Sequence, residues 1–125
     1  MEISLYSPAH EATIIEALVK DPQWQIITND QTIAIYRQLL RTSITYVSLS
    51  DDIFCGYVRA VPDPGFAAYI SELYVVKAWR GRRIGQALIE RVKHDHPHLH
   101  LYALSDEDAF YEKKGYTKVG SVFAI

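Results

Sequence analysis

Three arginines and two glycines lie close together in one short segment, Arg80-Gly81-Arg82-Arg83-Ile84-Gly85-Gln86-Ala87. Guanidinium groups are permanently charged, forked donors that match phosphate oxygens, and glycine lets a ligand's oxygens approach the backbone. If the segment leads from a strand into a helix, the unpaired amides of the first turn add further donors for an anion. The segment therefore predicts a diphosphate-binding turn. A basic, solvated helix start would explain the same residues, because two-glycine patterns are common.

The segment does not match the two common nucleotide-binding patterns. No Lys-Ser or Lys-Thr pair follows Gly85, as the phosphate loop of nucleoside triphosphatases requires. The three spaced glycines of the dinucleotide fingerprint are also missing. Both classes of nucleotide site are therefore disfavoured.

The elements around this segment are predicted to form a strand–helix–strand unit. A β-rich run covers 67–76, a loop covers 77–81, an amphipathic helix covers 82–94 and a short alternating strand covers 98–104. Such a crossover joins parallel strands and is right-handed. It would place the basic segment at the end of a strand and the start of a helix.

The rest of the chain predicts further strands and helices around this unit. Ser7-Pro8 is typical of a helix start, and Asn29 or Asp30 can cap a second helix. Ser105, with Asp108 three residues later, resembles a capping box for a last helix that ends at Gly115. The remaining predicted elements are strands 3–6, 44–50, 53–61 and 116–125, with the first two helices ending at Lys20 and Arg41.

The predicted order is β-α-α-β-β-β-α-β-α-β. This is an α/β (α+β) fold with a mixed sheet and helices on both faces, built as a single domain over residues 1–125. The net charge of −2 argues against nucleic acid or an anionic membrane as a partner. One cysteine excludes an internal disulfide, and the N-terminus lacks the pattern of a signal peptide. We therefore expect a cytoplasmic protein.

Two segments resemble the signatures of GNAT (GCN5-related N-acetyltransferase) enzymes. The first is Glu72-Leu73-Tyr74-Val75-Val76-Lys77-Ala78-Trp79-Arg80-Gly81-Arg82-Arg83-Ile84-Gly85-Gln86-Ala87-Leu88, which is similar to the family's Arg/Gln-x-x-Gly-x-Gly/Ala pattern after a strand. The second is Ala109-Phe110-Tyr111-Glu112-Lys113-Lys114-Gly115-Tyr116, which is similar to Phe-Tyr-x-x-x-Gly-Phe. Arg83 stands where the first pattern usually has a glycine. The resemblance covers nearly the whole element order, although the family usually has one more terminal strand.

The resemblance implies that acetyl-CoA is the co-substrate. Main-chain groups of the strand before the basic segment would pair with the pantothenate arm, and one amide would polarise the acetyl carbonyl. The basic segment would hold the diphosphate. The implied binding residues are Leu73, Tyr74, Val75, Arg80, Gly81, Arg82, Arg83, Gly85 and Gln86.

Two residues are candidates for proton transfer. Tyr111 matches the family's general acid, because a phenol is protonated at neutral pH and can donate to the sulfur of CoA. Glu72 is a candidate base, and strand alternation places it on one face with Ile70 and Tyr74 unless a bulge intervenes. A water chain could also remove the amine proton, and Glu72 could instead only attract a cationic substrate.

The resemblance implies that the acceptor is an unidentified primary amine, either a small molecule or a peptide. Tyr36, Tyr46, Tyr57 and Tyr69 could line its pocket, although strand packing explains them as well. A non-catalytic acyl-CoA-binding module and a nucleic-acid binder are the alternative functions, and a homodimer is compatible with the resemblance. No metal site is expected, because the run of histidines at 94, 96, 98 and 100 fits a polar turn, and Cys55 fits a buried, inert thiol.

Overall fold

The computed structural model describes residues 1–24 and 29–125. Five strands form one sheet in the order β1-β2-β3-β4-β5, antiparallel except for the parallel pair β4 and β5. The strands are β1 Glu2–Leu5, β2 Ile44–Ser50, β3 Ile53–Asp63, β4 Ala67–Val75 and β5 His100–Ala103. The helices are α1 Pro8–Lys20, α2 Asp30–Thr42, α3 Ile84–Asp95, α4 Asp108–Lys113 and a 3₁₀ turn, Lys77–Trp79. The mixed sheet predicted from the sequence is confirmed.

Local signals begin the first two helices where the sequence predicted. Ser7 is the N-cap of α1, Pro8 occupies its first turn, and the ring of His10 accepts a hydrogen bond from the Ser7 amide at 3.0 Å. Asn29 caps α2 by accepting from the Thr32 amide at 2.9 Å. These caps satisfy amides that the first helical turn would leave unpaired.

Helices cover both faces of the sheet, as expected. The first core cluster packs α1 and α2 on one face, through residues such as Ile14, Leu18 and Leu40 against Val47. The second cluster packs α3 on the opposite face, through Leu88 and its neighbours. We call these the α1/α2 face and the α3 face.

A bulge at Ser71 changes the faces of β4. Arg59 pairs with Glu72, but the next residue of β3, Ala60, pairs with Ile70, so Ser71 is an extra residue. An extra residue shifts the alternation by one position. Glu72 therefore shares the α1/α2 face with Tyr74, whereas Ile70 lies on the α3 face. The expected shared face of Glu72 and Ile70 required a strand without a bulge, and this condition is not met.

Other predicted boundaries also need correction. Helix α3 begins at Ile84 rather than at position 82, because its N-cap Arg83 is left-handed with φ of 62°. The predicted loop 77–81 contains the 3₁₀ turn. Helix α4 starts at Asp108, and the Ser105 hydroxyl accepts from the Glu107 amide rather than capping the helix.

The predicted last strand is not formed. Residues 116–125 carry no strand assignment and are mostly exposed. A strand needs a partner for its main-chain groups, and none of the described strands pairs with this segment. Nowhere in residues 1–24 and 29–125 does a helix have both the length and the hydropathy needed to cross a bilayer.

Candidate functional site

The turn between β4 and α3 presents a series of free main-chain amides. The first helical bond of α3 runs from the Ala87 amide to the Arg83 carbonyl at 3.0 Å. Within the described residues, none of the amides from Gly81 to Gln86 has a main-chain or side-chain acceptor. Gly81 has φ of 80° and open space around its missing Cβ. This donor set fits a diphosphate, as the sequence predicted.

The three arginines of the turn are exposed, and two have partners inside the protein. Arg80 donates its Nε to the Val75 carbonyl at 2.9 Å, and its Nη2 lies 3.9 Å from Oδ2 of Asp21. The Arg82 guanidinium stacks over the Trp79 ring, 4.6 Å from its centroid. These contacts orient the guanidinium groups around the turn.

Strands β4 and β5 pair over only part of their length. Their pairing ends at Ile70 and Ala103, followed by one bond from the Leu104 amide to the Ile70 carbonyl. Beyond this point, one edge of β4 faces an opening rather than a strand among the described residues. We call this opening the β4–β5 gap.

Main-chain groups of β4 point into this gap. Val76 donates to the Cys55 carbonyl of β3 at 2.8 Å, so by strand alternation the N–H and C=O of Val75 and Leu73 point away from β3. Tyr74 alternates with them, and its main chain faces β3. Two of the three predicted strand positions therefore present main-chain groups to the gap, although the Val75 carbonyl already accepts one hydrogen bond from Nε of Arg80.

Gly85 connects the turn with α4. A Cβ at this position would contact the rings and side chains of Phe110 and Leu73. From the sequence, Gly85 was expected to let ligand oxygens approach the backbone. In the structure, the side chains of Phe110 and Leu73 occupy the space that its missing Cβ leaves. The same helix α4 carries Tyr111 next to Phe110, with the two rings packed edge to face.

Tyr111 is half-buried on the α3 face. It packs against the second core cluster and against the ring of Tyr116. Burial raises the pKa of its phenol, and nearby acidic groups act in the same direction. Its hydroxyl is therefore protonated at neutral pH, which is the state a general acid needs.

Glu72 lies on the α1/α2 face in a buried polar network. One carboxylate oxygen contacts Nε of Arg59, and the other accepts from the Tyr57 hydroxyl at 2.8 Å. The Tyr57 hydroxyl also contacts that of Tyr36. Arg59 completes its bonds with the hydroxyls of Ser43 and Ser71, at 3.0 and 3.1 Å. The network thus ties Glu72 to the bulge residue.

Two influences act on the Glu72 carboxyl. Burial raises its pKa, whereas the Arg59 guanidinium in direct contact favours the charged carboxylate. The contact is the stronger influence, because opposite charges at hydrogen-bond distance attract strongly in a buried site. The pair is therefore charged at neutral pH, with both carboxylate oxygens already accepting hydrogen bonds.

Other sequence candidates are separated by the fold. Tyr36 and Tyr57 are buried on the α1/α2 face, but Tyr46 lies on the α3 face and donates to Asp95 at 2.6 Å. Tyr69 stacks on Tyr102. The four tyrosines therefore do not form one pocket. In the part of the chain that the structure describes, no group of three His, Cys, Asp or Glu residues is arranged to hold a metal ion.

The sequence analysis missed three features: the ion pair of Arg59 with Glu72, the hydrogen bond of Ser71 to Arg59, and the side-chain contact of Gln86. Gln86 donates to Glu90 at 3.1 Å across one helical turn, a spacing that is readable from the sequence. Arg59 is an arginine inside an otherwise apolar strand, and a buried guanidinium requires an acidic partner. That signal could have indicated the pairing with Glu72, although not the bulge.

Comparison with known proteins identifies the family. The sequence model of the acetyltransferase (GNAT) domain matches residues 41–118, which include the turn, the β4–β5 gap and Tyr111. A search of the curated proteins found no match.

Solved structures share the fold over almost the whole chain. An aminoglycoside acetyltransferase from an uncultured soil metagenomic sample is 24% identical with a TM-score of 0.74, covering 99% of this chain and 96% of its own. A ribosomal-protein-alanine N-acetyltransferase from Brucella melitensis biovar Abortus 2308 is 21% identical with a TM-score of 0.75 and the same coverage. A Trypanosoma brucei acetyltransferase is 18% identical with a TM-score of 0.73, covering 99% and 97%. Because the acetyltransferase (GNAT) domain model matches more than half of the chain, the chain belongs to the GNAT family of acetyltransferase domains.

Proposed function

We propose that this chain transfers an acetyl group from acetyl-CoA to a primary amine. One observation carries the proposal: a series of free amides at the β4–α3 turn continues into the open main-chain edge of β4. A ligand that has both a diphosphate and an extended amide-containing arm fits this arrangement. Bound acetyl-CoA supplies the activated thioester.

The residues of the turn bind and orient the ligand. The amides from Gly81 to Gln86, with the guanidinium groups of Arg80, Arg82 and Arg83, hold the diphosphate. Leu73 and Val75 pair with the pantothenate arm through their main chains, as a neighbouring strand would. One of their amides then lies near the acetyl carbonyl and stabilises negative charge on its oxygen.

Tyr111 is the proposed general acid. Its protonated phenol donates to the sulfur of the departing thiolate. It lies on the α3 face, whereas Glu72 lies on the opposite face, and the β4–β5 gap connects the two. In this arrangement the thioester reaches the amine through the gap.

Glu72 is the proposed acceptor for the proton of the amine. The hydroxyls of Tyr36 and Tyr57 form a hydrogen-bonded path that ends at its carboxylate. Because Arg59 stabilises the charged form, Glu72 is a weak base. It can therefore act as a relay site and as an attractive charge for a cationic amine, but a strongly basic role is disfavoured.

The test is an assay of thiol release from acetyl-CoA against a panel of amines, with calorimetry of CoA binding alongside. The panel includes aminoglycosides and peptides with N-terminal alanine, because two related structures are named for such acceptors. Thiol release that depends on one amine class supports the proposal. Tight CoA binding without turnover on any amine would favour a binding module instead. We place the reaction in the cytoplasm, which suits the single buried thiol of Cys55.

A further inference from the structure

A carboxylate at the end of α1 lies beside the turn between β4 and α3. Asp21 is the C-cap residue of α1, and only 12% of its side chain is exposed. Oδ2 of Asp21 lies 3.9 Å from Nη2 of Arg80, while Nε of Arg80 donates to the Val75 carbonyl at 2.9 Å. The guanidinium is therefore held between two groups, one at the end of β4 and one at the end of α1.

The Asp21 carboxylate is itself fixed by two donors. Its Oδ1 accepts from the Gln23 amide at 2.9 Å, and its Oδ2 accepts from the Tyr74 hydroxyl at 2.9 Å. Tyr74 is buried on β4, and the Trp24 ring packs edge to face against it, with 5.4 Å between the ring centroids. The carboxylate therefore has one defined position, to which the guanidinium of Arg80 is drawn.

This carboxyl group is charged at neutral pH. The hydrogen bond from the Gln23 amide lowers the pKa of Asp21 most, and the hydrogen bond from the Tyr74 hydroxyl lowers it further. The charges of Arg80 and Lys77 act in the same direction, against the opposing effect of burial. Because these two cations also offset the charge of the carboxylate, its repulsion of a nearby anion is reduced. Asp21 therefore acts on a bound anion mainly through Arg80.

We propose that Asp21 is a positioning residue that holds Arg80 in the orientation in which it meets the diphosphate of acetyl-CoA. A guanidinium carries five N–H donors on a rigid fork, so a group held at Nε and Nη2 can still donate to a phosphate. Ordering the side chain before the ligand arrives removes part of the entropy cost of binding. This inference rests on the proposed function, because it requires a diphosphate at the β4–α3 turn.

Calorimetry of coenzyme A binding tests this role. Asp21→Asn keeps the shape of the side chain and removes its charge, and it should weaken the binding of coenzyme A about two- to fivefold, the range of a partly exposed ion pair. In an Arg80→Ala background the same substitution should have no further effect. In turnover, Asp21→Asn should raise KM for acetyl-CoA and leave kcat unchanged, because Asp21 does not contact the reacting atoms.

Asp95→Asn is the matched control. Asp95 is the last residue of α3, at the end opposite the turn. Like Asp21, it accepts from a tyrosine hydroxyl and contacts an arginine, at 2.6 Å from Tyr46 and 3.0 Å from Nε of Arg91. Its loss should lower stability without changing the affinity for coenzyme A. If both variants weaken coenzyme A binding equally, Asp21 acts only through the stability of the fold, and the proposal is overturned.

A second variant tests the same contact with the charge in place. Tyr74→Phe removes the hydroxyl that fixes Oδ2 of Asp21 and keeps the ring. It should weaken coenzyme A binding about twofold, and this effect should also vanish in the Arg80→Ala background. The variant decides the question if Asp21→Asn does not fold, since unchanged binding in Tyr74→Phe would then overturn the proposal.

The remaining outcomes separate this inference from the proposed function. Tighter binding of coenzyme A in Asp21→Asn would mean that the carboxylate competes with the diphosphate for Arg80, and unchanged binding would mean that Asp21 has no role in it. A loss that persists in full in the Arg80→Ala background would mean that Asp21 acts without Arg80. Each of these results overturns the positioning role alone. A wild type that does not bind coenzyme A contradicts the proposed function and overturns the inference with it.

Discussion

The side chain that Gly85 lacks would place its Cβ 3.3 Å from Cζ of Phe110. This contact links the amide-rich turn at the start of α3 to α4, and therefore to Tyr111. The position of the proposed acid depends on a glycine in the proposed phosphate-binding turn. Ligand binding and acid placement thus share one structural element.

Gly85→Ala should lower kcat because the added methyl group pushes Phe110 and displaces Tyr111. Phe110 has to yield by only a few tenths of an ångström, so we expect a kcat reduced by up to about tenfold. The helix propensity of alanine offsets part of the clash, so the loss in the free energy of unfolding should stay below about 1 kcal/mol. Gly120→Ala is the control, since its Cβ would meet open space. Phe110→Leu in the same chain should recover part of the loss, and a kcat unchanged in Gly85→Ala would contradict the link.

Arg83 is expected to carry backbone strain, because it is a non-glycine residue in the left-handed region. Such a conformation costs an L-residue about 1–2 kcal/mol. Arg83→Gly should therefore be more stable than Arg83→Ala by about 1 kcal/mol, although both variants lose the same charge. Denaturant unfolding of the two proteins measures this difference. Equal stabilities of the two variants would show that the backbone at position 83 carries no strain that glycine relieves.

These positions also show how far the sequence determines the site. Ser7-Pro8 and Asn29 are local signals, and the helices begin beside them. The bulge at Ser71 depends on the register between β3 and β4, which is a non-local property. The last segment has β-prone residues, but a strand forms only where a partner exists. Glu72 and Tyr111 were therefore predicted as candidates, while their placement on opposite faces was not.

Tyr111→Phe should lower kcat by about 100- to 10,000-fold while CoA affinity stays the same, because only the acidic proton is lost. Tyr102→Phe is the control, since Tyr102 is an exposed tyrosine of β5. Burial raises the pKa of Tyr111, so the acid remains protonated through neutral and mildly alkaline pH. The wild-type rate should not fall in that range. A descending limb near neutrality that disappears in Tyr111→Phe would mean that the phenol's pKa is lowered instead.

Glu72→Gln should destabilise the fold by about 3–5 kcal/mol, because it leaves the buried Arg59 without its counter-charge. Replacing both partners, as in Arg59→Met with Glu72→Leu, should restore most of the stability. Thermal unfolding measures both effects. A double variant no more stable than Glu72→Gln would contradict the claim that the unpaired charge of Arg59 causes the loss of stability. A stable double variant that remains inactive would support a role for the carboxylate in the reaction.

Arg80→Ala should weaken the binding of acetyl-CoA more than the binding of acetyl-pantetheine, because acetyl-pantetheine has no diphosphate. Arg80 also holds the Val75 carbonyl, so a smaller effect on acetyl-pantetheine is expected from disturbance of the strand end. Comparing KM for the two thioesters separates the contributions. An equal rise in KM for both thioesters would mean that the Arg80 guanidinium acts only by holding the end of β4 and does not contact the phosphates.

The most direct test of the account is a crystal structure of this chain with acetyl-CoA. We predict that the diphosphate accepts hydrogen bonds from amides between Gly81 and Gln86, and that the pantothenate arm pairs with Leu73 and Val75 in the β4–β5 gap. A diphosphate bound elsewhere, with these amides facing only solvent, would contradict the account.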